Sequence, residues 1–132
     1  MTSFISHTSV DCADAYTLAQ WWRTVLDWTD DPDDPDSPGD EECLIISRDG
    51  RHKVLFIQVP EGKTTKNRIH FDLMPVEGTR DVELARLLGH GATVVDDLRK
   101  PDGTGWVVLA DPEGNEFCIL RGDAERAAGP QA

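Results

Sequence analysis

Two histidines are the residues best placed to do chemistry in this 132-residue chain. His7 opens Ser6-His7-Thr8-Ser9-Val10, which leads into an apolar helical stretch ending at Val25-Leu26. His70 sits in Arg68-Ile69-His70-Phe71-Asp72-Leu73, which leads into a second such stretch ending at Leu87-Leu88. The histidines are 63 residues apart and the leucines 62. A period of about half the chain implies two like modules. Two imidazoles placed alike in such modules could face one shared cavity, so a small-molecule site is the first expectation. A lone histidine on a strand is more often an ordinary hydrogen-bonded side chain, and that reading stands beside it.

The elements that must carry these histidines can be read from pattern. Residues 3–10 are β-branched-rich and read as a strand. Asp14 is a candidate N-cap for a helix over residues 15–26, whose apolar stripe is Leu18, Trp22, Val25 and Leu26. Residues 30–42 hold eight acids and three prolines, so they read as a solvated loop; a calcium site there lacks the regular ligand spacing. Residues 43–48 and 53–59 form a hairpin about Asp49-Gly50. Residues 60–66 connect the halves. The second half repeats the plan: a strand over 67–74, a helix over 79–88 with Val82, Leu84, Leu87 and Leu88, a strand over 92–96, and a final hairpin, 106–110 and 116–121, about Asp111-Pro112-Glu113-Gly114. The expected organisation is one domain over 1–122, with modules at about 3–60 and 67–121, and a flexible tail over 123–132. His90, between two glycines at a helix end, reads as a cap residue.

Composition narrows the function. The net charge of −12 opposes binding to nucleic acid or anionic membranes. No apolar run approaches the ~20 residues of a membrane helix, and no signal peptide is visible. Three cysteines without paired spacing fit a reducing cytoplasm.

Several motifs together resemble the vicinal oxygen chelate superfamily of glyoxalases, bleomycin resistance proteins and extradiol dioxygenases. They are His7-Thr-Ser-Val-Asp-Cys-Ala-Asp14, Val25-Leu-Asp-Trp28, Asn67-Arg-Ile-His-Phe-Asp-Leu73, Leu88-Gly-His-Gly-Ala92 and Trp106-Val-Val-Leu-Ala-Asp-Pro-Glu-Gly-Asn-Glu-Phe-Cys-Ile-Leu120. The resemblance implies an α+β fold in which two βαβββ modules form a curled mixed sheet around a central cleft. It also implies metal ligands at His7 and His70, with the eighth-strand ligand, normally glutamate, falling on Cys118. The fourth-strand ligand falls on Val54 or Phe56. By analogy with relatives, a homodimer is expected.

The sequence departs from that metal pattern at two of four positions. His7, His70 and Cys118 could still hold zinc, nickel, manganese or iron, with water in an open place. Glu116 shares the strand parity of Cys118 and could act as general base. Arg68 shares the parity of His70 and could hold a carboxylate. Phe56, Gln58, Trp106 and Cys118 would line the pocket, although Cys118 and Trp106 also read as ordinary core residues. The leading expectation is a small-molecule-binding protein, metal-independent or weakly metal-binding. The rival is a metal-dependent lyase, isomerase or dioxygenase acting on vicinal oxygens, and a third reading is a regulatory module dimerising through Trp21.

Overall fold

A computed structural model describes residues 1–129. The chain is α+β and divides into two compact units, Met1–Gly62 and Lys63–Ala132. In the first unit, β1 (Thr8–Cys12) is followed by α1 (Ala15–Leu26), β2 (Thr29–Asp30), β3 (Glu42–Ile46) and β4 (Lys53–Gln58). The strands form an open mixed sheet in the order β1-β4-β3-β2, with β1 parallel to β4 and the other pairs antiparallel.

Helix α1 starts where its cap dictates. Asp14 Oδ1 accepts the backbone N–H of Thr17 at 3.1 Å, and these hydrogen bonds hold its carboxyl below the usual range. Leu18, Trp22 and Val25 are buried as the helical period requires. Trp21 is buried too, edge-on to Trp22 with centroids 5.2 Å apart, so its ring offers no docking face. Strand β1 begins later than its composition suggests. Thr8 pairs with Val54, one residue into β4, and the chain before β4 is the turn around Gly50, so residues 3–6 have no ladder to join. Phe4 and Ile5 are accordingly exposed.

The acidic segment is ordered by its own carboxylates. Asp31 Oδ1 accepts from Asp33 N, Asp30 Oδ2 from Asp36 N, and Asp40 Oδ2 from Ser37 N. Thr29 and Asp30, at its start, join the sheet against β3, and Glu42, at its end, opens β3.

The second unit contains β5 (Asp72–Leu73), α2 (Arg80–Gly89), β6 (Thr93–Asp97), β7 (Val107–Ala110), β8 (Glu116–Ile119) and α3 (Asp123–Ala128). Its sheet order, β5-β8-β7-β6, repeats the first, again with the outer pair β5–β8 parallel. Both units are thus βαβββ modules. Strand β5 is far shorter than residues 67–74, because the Asn67 N–H donates to the Glu116 carboxylate at 3.3 Å instead of to a ladder. Thr79 caps α2 through Val82 N, and only Leu84 and Leu87 of its apolar residues are buried; Val82 and Leu88 face outward. The β7–β8 turn is built by Asp111, whose Oδ1 accepts from the backbone N–H groups of Glu113 and Asn115. Residues 123–128, expected in a flexible tail, form α3. Glu125 Oε2 accepts from Gly122 N at its first turn. Residues 130–132 of that expected tail lie outside the described residues. No helix among the described residues is long and apolar enough to cross a membrane.

Candidate metal and ligand site in the second module

Strand register decides which side chains share a face. In the second module Asp72 pairs with Cys118 and Val108 with Cys118, so Asp72, Cys118 and Val108 project together. The face bearing Val107, Leu109, Phe117 and Ile119 is completely buried, as a face covered by α2 must be. The Cys118 face is the opposite one. There His70 Nδ1–H donates to Asp72 Oδ1 at 3.0 Å, and Cys118 Sγ stands 4.0 Å from the same nitrogen. Donor atoms of His70, Asp72 and Cys118 all lie within 4.8 Å of one another. His70 and Asp72 are exposed and Cys118 is buried. Burial first, then the Asp72 carboxylate, push the Cys118 thiol up to about 11.

An imidazole nitrogen, a carboxylate oxygen and a thiol sulfur suit zinc, which accepts all three donor types in a tetrahedral set with a place left open. They suit manganese poorly, because a hard ion prefers oxygen. The residues present therefore fit a divalent cation of the softer kind, which would take the place of the proton between His70 and Asp72 and of the thiol proton.

Glu116 shares this face but is already engaged. Its Oε2 accepts from Lys63 Nζ at 2.9 Å as well as from Asn67 N. Burial raises its pKa, but the hydrogen bonds from Lys63, its own backbone and Asn67, with the Lys63 charge, outweigh burial and hold the carboxyl below its ordinary value. A carboxylate so paired is a weaker general base than a free one. Trp106 is 39% exposed and accepts the Leu98 N–H through its carbonyl, continuing the β6–β7 ladder. Its parity with Val108 puts the indole on the Cys118 face, so it is not a core aromatic. Just before it, the buried Arg80 donates from Nη1 to the carbonyls of Gly103, Thr104 and Gly105 at 3.0, 3.3 and 2.9 Å. Gly105 adopts φ +91, and a β-carbon there would meet Leu98 O at 2.1 Å. Arg80 and Gly105 together fix the approach to Trp106.

Other expected site residues fall elsewhere. Phe56 is completely buried. With Cys43, Ile45 and Val54 it forms the fully buried face of the first sheet, the face that α1 covers, so it is core and not pocket wall. Gln58 has the parity of Phe56 and is exposed at the end of β4. Arg68 is exposed, and its parity with His70 carries no weight because residues 67–71 are not a strand. His7 is exposed, one residue ahead of β1, with Ser6 Oγ 3.0 Å from its Nδ1; its role as a ligand rests on the resemblance alone. His90 caps α2. Asp72 is a donor that histidine spacing does not reveal; it lies two residues after His70 and opposite Cys118 in the ladder. Asp36, Asp40 and Cys43 form a second close group in the first unit. Two carboxylates make a poor calcium site, and burial, then Asp36 and Asp40, push the Cys43 thiol up to about 12.

Comparison with known proteins agrees with this fold. The glyoxalase-like domain family matches residues 7–120. The chain belongs to that family, within the vicinal oxygen chelate superfamily. No curated protein matches the sequence. Among solved structures, the fosfomycin resistance protein FosX from Mesorhizobium loti superposes with a TM-score of 0.65 at 19% identity, over 97% of this chain and 99% of that one. A mutant FosX from Listeria monocytogenes, complexed with Mn(II) and 1S,2S-dihydroxypropylphosphonic acid, gives 0.68 at 14%, over 96% and 95%. A possible glyoxalase from Bacillus cereus gives 0.63 at 14%, over 90% and 99%. At these identities the structural likeness establishes the fold.

Proposed function

We propose that this glyoxalase-like protein binds a small organic molecule on the Cys118 face of its second module, and that His70, Asp72 and Cys118 hold a divalent cation there, zinc by the chemistry of the donors. The convergence of these three side chains on one face of one sheet carries the reading. The Listeria neighbour, bound to Mn(II) and a phosphonic acid, supports a cation paired with an oxygen-rich ligand. A bound cation would polarise such oxygens as a Lewis acid, which suits a lyase, isomerase or dioxygenase. The chain's own residues supply the rest. Asp72 orients the His70 ring, Trp106 offers a flat apolar surface beside the donors, and Lys63 keeps Glu116 from competing for the cation. Three free, buried cysteines support a cytoplasmic setting, and family membership supports a homodimer, which light scattering would read.

Calorimetric titration of chelator-treated protein with zinc chloride tests the proposal. One equivalent is expected to bind, and Cys118→Ser is expected to weaken it at least about 100-fold, as ligand loss should cost no less than loss of an outer partner. Failure of the wild type to take up zinc, or equal binding by Cys118→Ser, overturns the metal. One observation favours a metal-free ligand site instead. The His70–Asp72 hydrogen bond already orients the ring, leaving Nε2 to meet a polar group of a ligand without any cation.

A further inference from the structure

The second module also holds a buried guanidinium for which no ion pair is found among the described residues. Arg121 follows β8 and is 6% exposed. Its Nε and Nη2 are buried and have no hydrogen-bond partner among the described residues. These two nitrogens form one edge of the guanidinium, the edge whose parallel N–H groups match the two oxygens of a carboxylate or phosphate. Among the described residues, no group supplies a hydrogen-bond partner to that edge. Arg126 Nε donates to the Arg121 carbonyl at 3.2 Å, and a β-carbon at Gly129 would stand 3.7 Å from Nη1, so α3 lies along the other side of the group. Glu125 of α3 is committed through Oε2 to the N–H groups of Arg80 and Gly122, at 2.7 and 3.0 Å. By alternation Arg121 belongs with Phe117 and Ile119, opposite Cys118, so this place is separate from the donor cluster.

A charged guanidinium withdrawn from water with two donors unmet is costly. We infer that Arg121 is the base of an oxyanion-binding site, taking a carboxylate or phosphate group two-pronged on its Nε–Nη2 edge. The Cys118 face plays no part in the inference, and loss of zinc binding would leave it intact.

Thermal unfolding of the full chain tests it, with inorganic phosphate and acetate as probes against sodium chloride at matched ionic strength. The midpoint of the wild type is expected to rise by about 5 °C once a probe exceeds its dissociation constant tenfold. Arg121→Met is expected to show no rise. A response to phosphate alone assigns a phosphate site, and a response to acetate as well assigns a carboxylate site. Should Arg121→Met fail to fold, Arg121→Lys keeps the charge and loses the fork, and its rise should be much smaller. The site is overturned if neither probe exceeds chloride, or if the Arg121 variant that folds responds as strongly as the wild type.

Discussion

Where the second module carries His70, Asp72 and Cys118, the first carries His7, Ser9 and Leu55. The correspondence follows from register. Ser9 pairs with Leu55 and Asp72 with Cys118, a separation of 46 residues in both modules, and each position in one lies 63 residues from its counterpart. The modules therefore keep the same ladder while only the second hangs three donors on it. Charge is divided just as unevenly. Residues 1–62 hold 13 acids against 4 bases, and residues 63–132 hold 12 against 9. The ladder is held by the fully buried face of each sheet, which leaves the opposite face free to gain or lose ligating groups without loss of fold.

The largest effect should come from testing that division within the first module. Phe56→Ala is expected to cost about 4 kcal/mol in urea unfolding, as for other buried aromatics. Its neighbour Leu55→Ala, half-buried on the opposite face, should cost about 1–2 kcal/mol. Equal costs would break the assignment of faces. A smaller but sharper effect is expected from giving the first module the donors it lacks. Ser9→Asp with Leu55→Cys should raise zinc stoichiometry toward two equivalents by elemental analysis, and a single equivalent would show that equivalent register alone does not make a site. The smallest effect concerns the charge of the first module. Burial first, then the Asp30 charge, push Asp36 up from 3.8 to about 6. The folded chain thus holds a proton there that the unfolded chain has lost, so stability falls as pH rises from about 4 through 6. Asp36→Asn should melt higher than the wild type at pH 7.5 and alike at pH 4; the same gap at both would place its effect outside titration.

Much of the fold was legible. The bounds of α1 follow from Asp14 and the apolar stripe, and the β7–β8 turn from Asp111 to Asn115. The faces of β4 were not, because a strand pattern read one residue out of register exchanges its two sides; the resemblance puts the fourth-strand ligand on Val54 or Phe56, which are buried, while Leu55 lies on the opposite face. Residues 67–71 looked like a strand by composition, but Asn67 bonds to a side chain, and no propensity reports that. Arg121 gives no signal in the sequence, since its lack of a partner is a property of packing. Asp72 carries no signal in histidine spacing, since its place beside His70 and Cys118 comes from the β5–β8 register.

The seat of Arg80 has a consequence for variation. Because one guanidinium nitrogen serves three successive carbonyls, and Gly105 tolerates no side chain, the 99–105 turn can neither lengthen nor shorten without stranding a buried positive charge. Diversity in what Trp106 meets must then arise by exchanging the indole itself, a one-codon route to new ligand preference that leaves the surrounding backbone untouched.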